Sequence, residues 1–181
     1  TTTVTQWNDQ SGSGLDATGS GTPALVTNNL NFNPTINFNG TDARFATVAT
    51  SLFSSNTSPV TFFTVFNTTS NEGQKFLVNQ RYDNNTVTNI QLGYDTGLGT
   101  GSGNFGLHIS SSNATIAAAN TIANDTYYLM STFILNSGTA PNNINIFQDG
   151  NSLVVSNDLG GYTDAGSYET TNPSVPIEIG V

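Results

Sequence analysis

Hard oxygen ligands crowd one short stretch of this chain. Asp9, Ser11, Ser13 and Asp16 alternate with glycines in Trp7-Asn8-Asp9-Gln10-Ser11-Gly12-Ser13-Gly14-Leu15-Asp16, the donor chemistry that Ca²⁺ takes. Asp42, after Asn39-Gly40-Thr41, adds a third carboxylate if the two loops meet. The spacing follows a calcium loop only loosely, because the bidentate Glu and the middle acidic positions are missing. The competing expectation is that Asp9 and Asp16 accept backbone N–H groups and close Asx turns. Aromatic residues offer a second chemistry, since sugar rings stack on aromatic faces while polar neighbours bind their hydroxyls. Tyr82, Tyr94 and Asp95 fall in Arg81-Tyr82-Asp83-Asn84-Asn85 and Gly93-Tyr94-Asp95. They are the candidate ligand-binding residues, with ordinary loop packing competing for each ring. Tyr162 and Tyr168 sit in similar surroundings, whereas Trp7 is expected to anchor the core.

Other chemistries find little support. Glycoside hydrolysis needs two carboxylates about 5–10 Å apart, which on one strand face means a spacing of two. The three glutamates, Glu72, Glu169 and Glu178, have no acidic residue two or four positions away. The single histidine, His108, alternates with Leu107 and Ile109 and is expected on the opposite face from them; no G-x-S-x-G elbow accompanies it. The chain is therefore read as non-catalytic. Three basic residues, Arg44, Lys75 and Arg81, cannot neutralise a phosphate backbone or hold an anionic membrane surface. With no cysteine there is neither a disulfide framework nor a thiol nucleophile. The glycine-rich stretch 97–103 lacks the lysine of a phosphate-binding loop.

The elements that must position these residues are strands. Over 181 residues the chain carries 28 Thr, 25 Asn, 18 Ser and 18 Gly, a net charge of −9 and only 8% charged residues. Its surface is thus polar but largely neutral. Runs rich in Val, Ile, Phe, Tyr and Thr alternate with Gly/Asn/Ser/Asp clusters, which predicts strands over 4–7, 35–38, 44–48, 60–67, 75–79, 89–94, 105–109, 127–135, 143–148, 152–155 and 177–181. The stretch 114–123 reads as a short strand or turn. Two runs, Val60-Thr61-Phe62-Phe63-Thr64-Val65-Phe66 and 127–135, are apolar on both faces, which predicts cover on both. Asp149-Gly150 between alternating segments predicts a tight hairpin. Together these predict one all-β domain over 1–181, an antiparallel two-sheet sandwich. The strand at 177–181 runs to the end of the sequence, which leads us to expect one or more further strands after Val181.

Four segments in order carry a resemblance. The stretch from Trp7 to Thr18 resembles the W-x-D-x-S-G-N-G-x-x-A-T opening of laminin-G-like, concanavalin A-like jelly-roll domains of bacterial surface proteins, with Ser13 in place of the usual Asn. Asn33-Pro34-Thr35-Ile36-Asn37-Phe38-Asn39-Gly40-Thr41-Asp42 looks like the family's P-x-[VI]-x-F-[DN]-G-x-D strand. Phe147-Gln148-Asp149-Gly150 is similar to its later hairpin, and Pro176-Ile177-Glu178-Ile179-Gly180 to its penultimate strand. The family's closing strand has no counterpart in this sequence. The resemblance implies a two-sheet jelly roll acting as a binding or adhesion module of a secreted, cell-surface protein, with glycans or another surface ligand and neighbouring domains as partners. The alternatives are a structural spacer in a large adhesin or filament and a sandwich-fold glycosidase, because a fold alone does not choose its function.

Overall fold

A computed structural model describes residues 2–48, 50, 59–70, 73, 75–80, 90–94, 103–109, 114–118, 122–134, 144–157 and 175–180. Among the described residues every regular element is a strand. The first six are β1 (Thr2–Thr3), β2 (Gln6–Trp7), β3 (Ala17–Ser20), β4 (Ala24–Leu30), β5 (Asn33–Asn37) and β6 (Arg44–Thr47). Then come β7 (Val60–Phe66), β8 (Lys75–Gln80), β9 (Ile90–Tyr94), β10 (Phe105–Ile109), β11 (Ala114–Ala118) and β12 (Tyr128–Ile134). The last four are β13 (Ile144–Gln148), β14 (Asn151–Ser152), β15 (Val155–Asn157) and β16 (Glu178–Ile179). The stretch read as strand or turn contributes β11; β1, β3 and β4 were not expected, and the run expected over 152–155 is split between β14 and β15.

All pairings are antiparallel and form three open sheets. Nine strands run in the order β15-β11-β10-β9-β8-β16-β6-β3-β2, four in the order β14-β13-β12-β7, and three in the order β1-β4-β5. The two larger sheets share one core. Ile90, Leu92, Tyr94, Phe105, Leu107 and Ala118 supply it from the nine-stranded sheet, and Phe66, Tyr128, Met130, Ile134, Ile144 and Ile146 from the four-stranded one. Their spacing of two puts every second residue of a strand on the buried face. The Asp149-Gly150 hairpin forms as expected, with φ of 51° and 83° at its two turn residues, the geometry that favours Asp-Gly in a tight hairpin. Its second strand is short, and the chain then crosses to pair β15 with β11 in the other sheet.

Close packing also dictates a glycine. Between Phe76 and Val78 the register of β8 with β9 shifts, and Gly93 lies opposite the irregularity. A side chain there would run into the Lys75 carbonyl, so only a residue without Cβ allows the two strands to approach.

The expectation of cover on both faces of the 60–66 run is corrected. Phe62, Thr64 and Phe66 turn inward, but Phe63 is 69% and Val65 56% exposed. On β12, Tyr128, Met130, Thr132 and Ile134 are buried while Leu129 is exposed. An uninterrupted apolar run fixes parity, not cover, and here the second face opens to solvent.

One inward position of this sheet is imperfect. Among the described residues the Thr132 hydroxyl is buried without a hydrogen-bond partner, a condition that costs about 1–3 kcal/mol. Replacing it by a methyl group of similar size removes the unmet polar group. Thr132→Val is expected to raise stability by about 1 kcal/mol, read as an increase of about 2–4 °C in the thermal midpoint; an unchanged or lower midpoint would mean that the hydroxyl is satisfied in solution.

Candidate functional site

The loop 9–16 is built on its two carboxylates. Asp9 Oδ1 accepts the Ser11 N–H at 2.8 Å, and Asp9 Oδ2 accepts the Ser11 hydroxyl at 2.8 Å and the Leu15 N–H at 3.2 Å. Asp16 Oδ1 accepts the Asp9 N–H at 2.8 Å, and its Oδ2 accepts Gln6 Nε2 at 2.7 Å. These donors hold the Asp9 carboxyl at about 2, down from an ordinary 3.8; the Ser11 backbone N–H contributes most, then the Ser11 hydroxyl and the Leu15 N–H.

Asp42 belongs to a different turn. Its Oδ1 accepts Asn39 Nδ2 at 2.6 Å, while Asn39 Oδ1 gathers the N–H groups of Thr41, Asp42 and Ala43 at 3.0 Å each. Among the described residues no three His, Cys, Asp or Glu side chains converge. Asp9 and Asp16 meet, and Asp42 does not join them. All four carboxylate oxygens of that pair face N–H or O–H donors, which already offset their charge. These five bonds take up part, not all, of the acceptor capacity of the two carboxylates.

A second polar group crosses the nine-stranded sheet on the face away from the core. Gln91 Nε2 donates to Asn79 Oδ1 at 3.1 Å, Asn79 Nδ2 to Glu178 Oε2 at 2.9 Å, and Arg44 Nε pairs with Glu178 Oε1 at 3.0 Å. The backbone of His108 pairs with that of Gln91 on the next strand, while its side chain lies outside the described residues. Asn79 and Gln91 are buried and occupied with each other, so this row ties strands together.

The site that sequence reasoning missed is the outer face of the four-stranded sheet. Phe133 meets Phe63 edge-on at 5.9 Å and Phe147 at 5.6 Å between ring centres. Pairing in register explains the zigzag: Phe63 lies opposite Ser131, Ser131 opposite Phe147, and Phe133 opposite Asn145. Residues directly opposite share a face, and diagonal neighbours come within reach of aromatic rings. Ser131, Phe133, Asn145, Phe147 and Gly150 line an open hollow of about 380 Å³, at the lower end of small-molecule sites. Its signal in the sequence was the interleaving of Thr61, Ser131 and Asn145 with these phenylalanines, a mixture that belongs on a wet face.

The expected ligand residues lie elsewhere. Tyr94 is only 4% exposed, stacked on Phe66 at 5.8 Å, and its hydroxyl donates to Thr68 Oγ1 at 2.6 Å. Its ring belongs to the core and offers no face to a ligand. Burial pushes its phenol above the ordinary value, an effect reduced by the bond to Thr68. Tyr82 and Asp95, like Arg81, Tyr162 and Tyr168, lie outside the described residues. Trp7 is not the buried anchor expected of it. It packs edge-on against buried Phe45 at 5.7 Å but stays 48% exposed, because β2 ends its sheet and nothing described flanks it.

The chain matches no family model, no curated protein and no solved structure.

The bonding of Asp9 carries a pH signature. A carboxyl held below its unfolded value stabilises the fold above that value, and the contribution is lost as pH falls through the folded one. The stability gap between the native chain and Asp9→Ala is therefore expected to be constant above about pH 5 and to close between about 4 and 2, from the shift of Asp9 from 3.8 to about 2. Thermal unfolding across that range checks it, with Ca²⁺ or EGTA leaving the gap unchanged. A gap that grows with Ca²⁺ would restore a cation to this loop.

Proposed function

We propose that this chain is a non-catalytic binding module, a two-sheet jelly roll of a secreted or cell-surface protein, that recognises glycans through the outer face of its four-stranded sheet. The observation that carries this reading is the open aromatic hollow of Phe133 and Phe147 with Ser131, Asn145 and Gly150, extended by Phe63. A sugar ring presents C–H groups on its faces and hydroxyls around its rim. Phenyl rings bordered by a hydroxyl and a carboxamide complement that pattern. Among the described residues the hollow is lined by four side chains and Gly150, none of them titratable, which gives it no general acid or base from these residues. Their lack of charge, in a chain of net charge −9, favours a neutral glycan over an anionic one.

A second reading, a structural spacer between neighbouring domains, draws support from the loop 9–16, whose carboxylates are spent on internal bonds. A glycan array followed by calorimetry separates the two. Binding of neutral glycans that falls about tenfold or more, a loss of about 1.4 kcal/mol, in Phe133→Ala and Phe147→Ala, but not in Gln10→Ala, is the expected result. A blank array, or full binding by both phenylalanine variants, would leave the spacer.

A further inference from the structure

We propose that β7 is a self-association edge, through which two copies of this chain pair antiparallel and join their four-stranded sheets into one of eight strands. The inference goes beyond glycan recognition and does not depend on it. In the order β14-β13-β12-β7, the strand β7 is terminal. It bonds β12 without a break from Val60–Ile134 to Phe66–Tyr128, and its other edge has no partner among the described residues. Such an edge presents a row of N–H and C=O groups ready to pair.

The other terminal strands are guarded, and β7 is not. Folded proteins blunt their sheet edges with short strands, proline or charge. Here β1, β2 and β14 have two residues each and β15 three, while β5 contains Pro34. In contrast β7 has seven residues, Val60-Thr61-Phe62-Phe63-Thr64-Val65-Phe66, with neither charge nor proline. Its outer neighbours Leu129, Ser131, Phe133, Asn145 and Phe147 are uncharged too. Two chains of net charge −9 could therefore meet here without juxtaposing like charges.

Geometry restricts the register. A two-fold axis normal to the sheet keeps both outer faces on one side, so residues of the same parity must lie opposite one another. Centred on Phe63, it sets Phe63 against its counterpart, Thr61 against Val65 of the second copy, and Phe62 against Thr64. The exposed apolar side chains of the strand, Phe63 at 69% and Val65 at 56%, then face Phe63 and Thr61 of the second copy. The Phe147–Phe133–Phe63 zigzag continues into its rotated copy across the axis. An edge of seven residues is about 23 Å long and buries less than the roughly 800 Å² per partner of a standard interface. The dimer is accordingly reversible and dependent on concentration.

Sedimentation velocity of the whole chain, from micromolar to near-millimolar, tests this. A shift from 19.0 kDa to twice that mass is expected, and it strengthens with salt as the net charge is screened. Thr61→Lys places a charge on the edge and should weaken the dimer about tenfold. The double variant Thr61→Lys, Val65→Glu should recover most of that loss, because the introduced charges then face each other across the axis. Both positions are exposed, and unfolding midpoints at low concentration verify that each variant folds. A chain monomeric at every concentration, a dimer indifferent to Thr61→Lys, or a double variant no tighter than the single one would overturn the proposal.

Discussion

The interaction on which the rest depends is the ring cluster around Phe66. Its ring lies 5.8 Å from Tyr94, 6.0 Å from Phe105 and 5.8 Å from Tyr128, so one side chain of the four-stranded sheet is held by two from the nine-stranded sheet and one from its own. The two tyrosines are tethered at their far ends, Tyr94 to Thr68 and Tyr128 by the Ala123 N–H at 2.9 Å. Aromatic packing of this kind supplies both area and direction. Once Phe66 points inward, the period of two sends Phe62 in with it and drives Phe63 and Val65 out. Slipping the strand by one residue would bury Phe63 and Val65 but expose Phe66 and unmake the cluster. The outward aromatic face follows from the inward one.

How much of this was legible can be judged residue by residue. Strand parity was readable at 60–66 and 127–135, because β-branched and aromatic residues fit a pleated surface wherever it lies. The Asp149-Gly150 turn was readable because few dipeptides accept those backbone angles. The strands Ala17–Ser20 and Ala24–Leu30 were not, since they carry Gly and two Asn in place of the usual strand formers and owe their extension to their neighbours. Tyr94 was misplaced because Gly93 and Asp95 look like a loop; Gly93 serves instead to let Lys75 approach. The aromatic face stayed hidden because a continuous apolar run looks the same whether its second face is covered or bare.

The two faces of the nine-stranded sheet specify register by different means. On the core side, apolar packing rewards any inward parity. On the other side the chain Gln91–Asn79–Glu178–Arg44 spans β9, β8, β16 and β6 with complementary donors and acceptors. Sliding a strand by two residues preserves parity but breaks these bonds, leaving buried amides unpaired at about 1–3 kcal/mol each. Buried polar side chains therefore contribute uniqueness where hydrophobic contact alone leaves near-equivalent alternatives. The loop 9–16 follows the same logic locally, with carboxylates directed at backbone N–H groups and at the Ser11 and Gln6 side chains.

A chain with 8% charged residues keeps its surface wet chiefly with amides and hydroxyls. These solvate a fold well but do not repel a partner as charges do. Against that background, Phe63 and Val65 leave on the order of 200 Å² of apolar surface in water, or about 5 kcal/mol at 25 cal/mol per Å². A monomer tolerates a patch of this size, yet its burial is a driving force that an arriving surface can use. The sheet's outer face and the edge of β7 adjoin, so the same strand exposes side chains on one and backbone on the other. Side chains there can change partner chemistry without disturbing the Phe66 cluster, because alternate residues along a strand are independent in direction. That independence lets one seven-residue strand hold the core together while its other face remains open to binding.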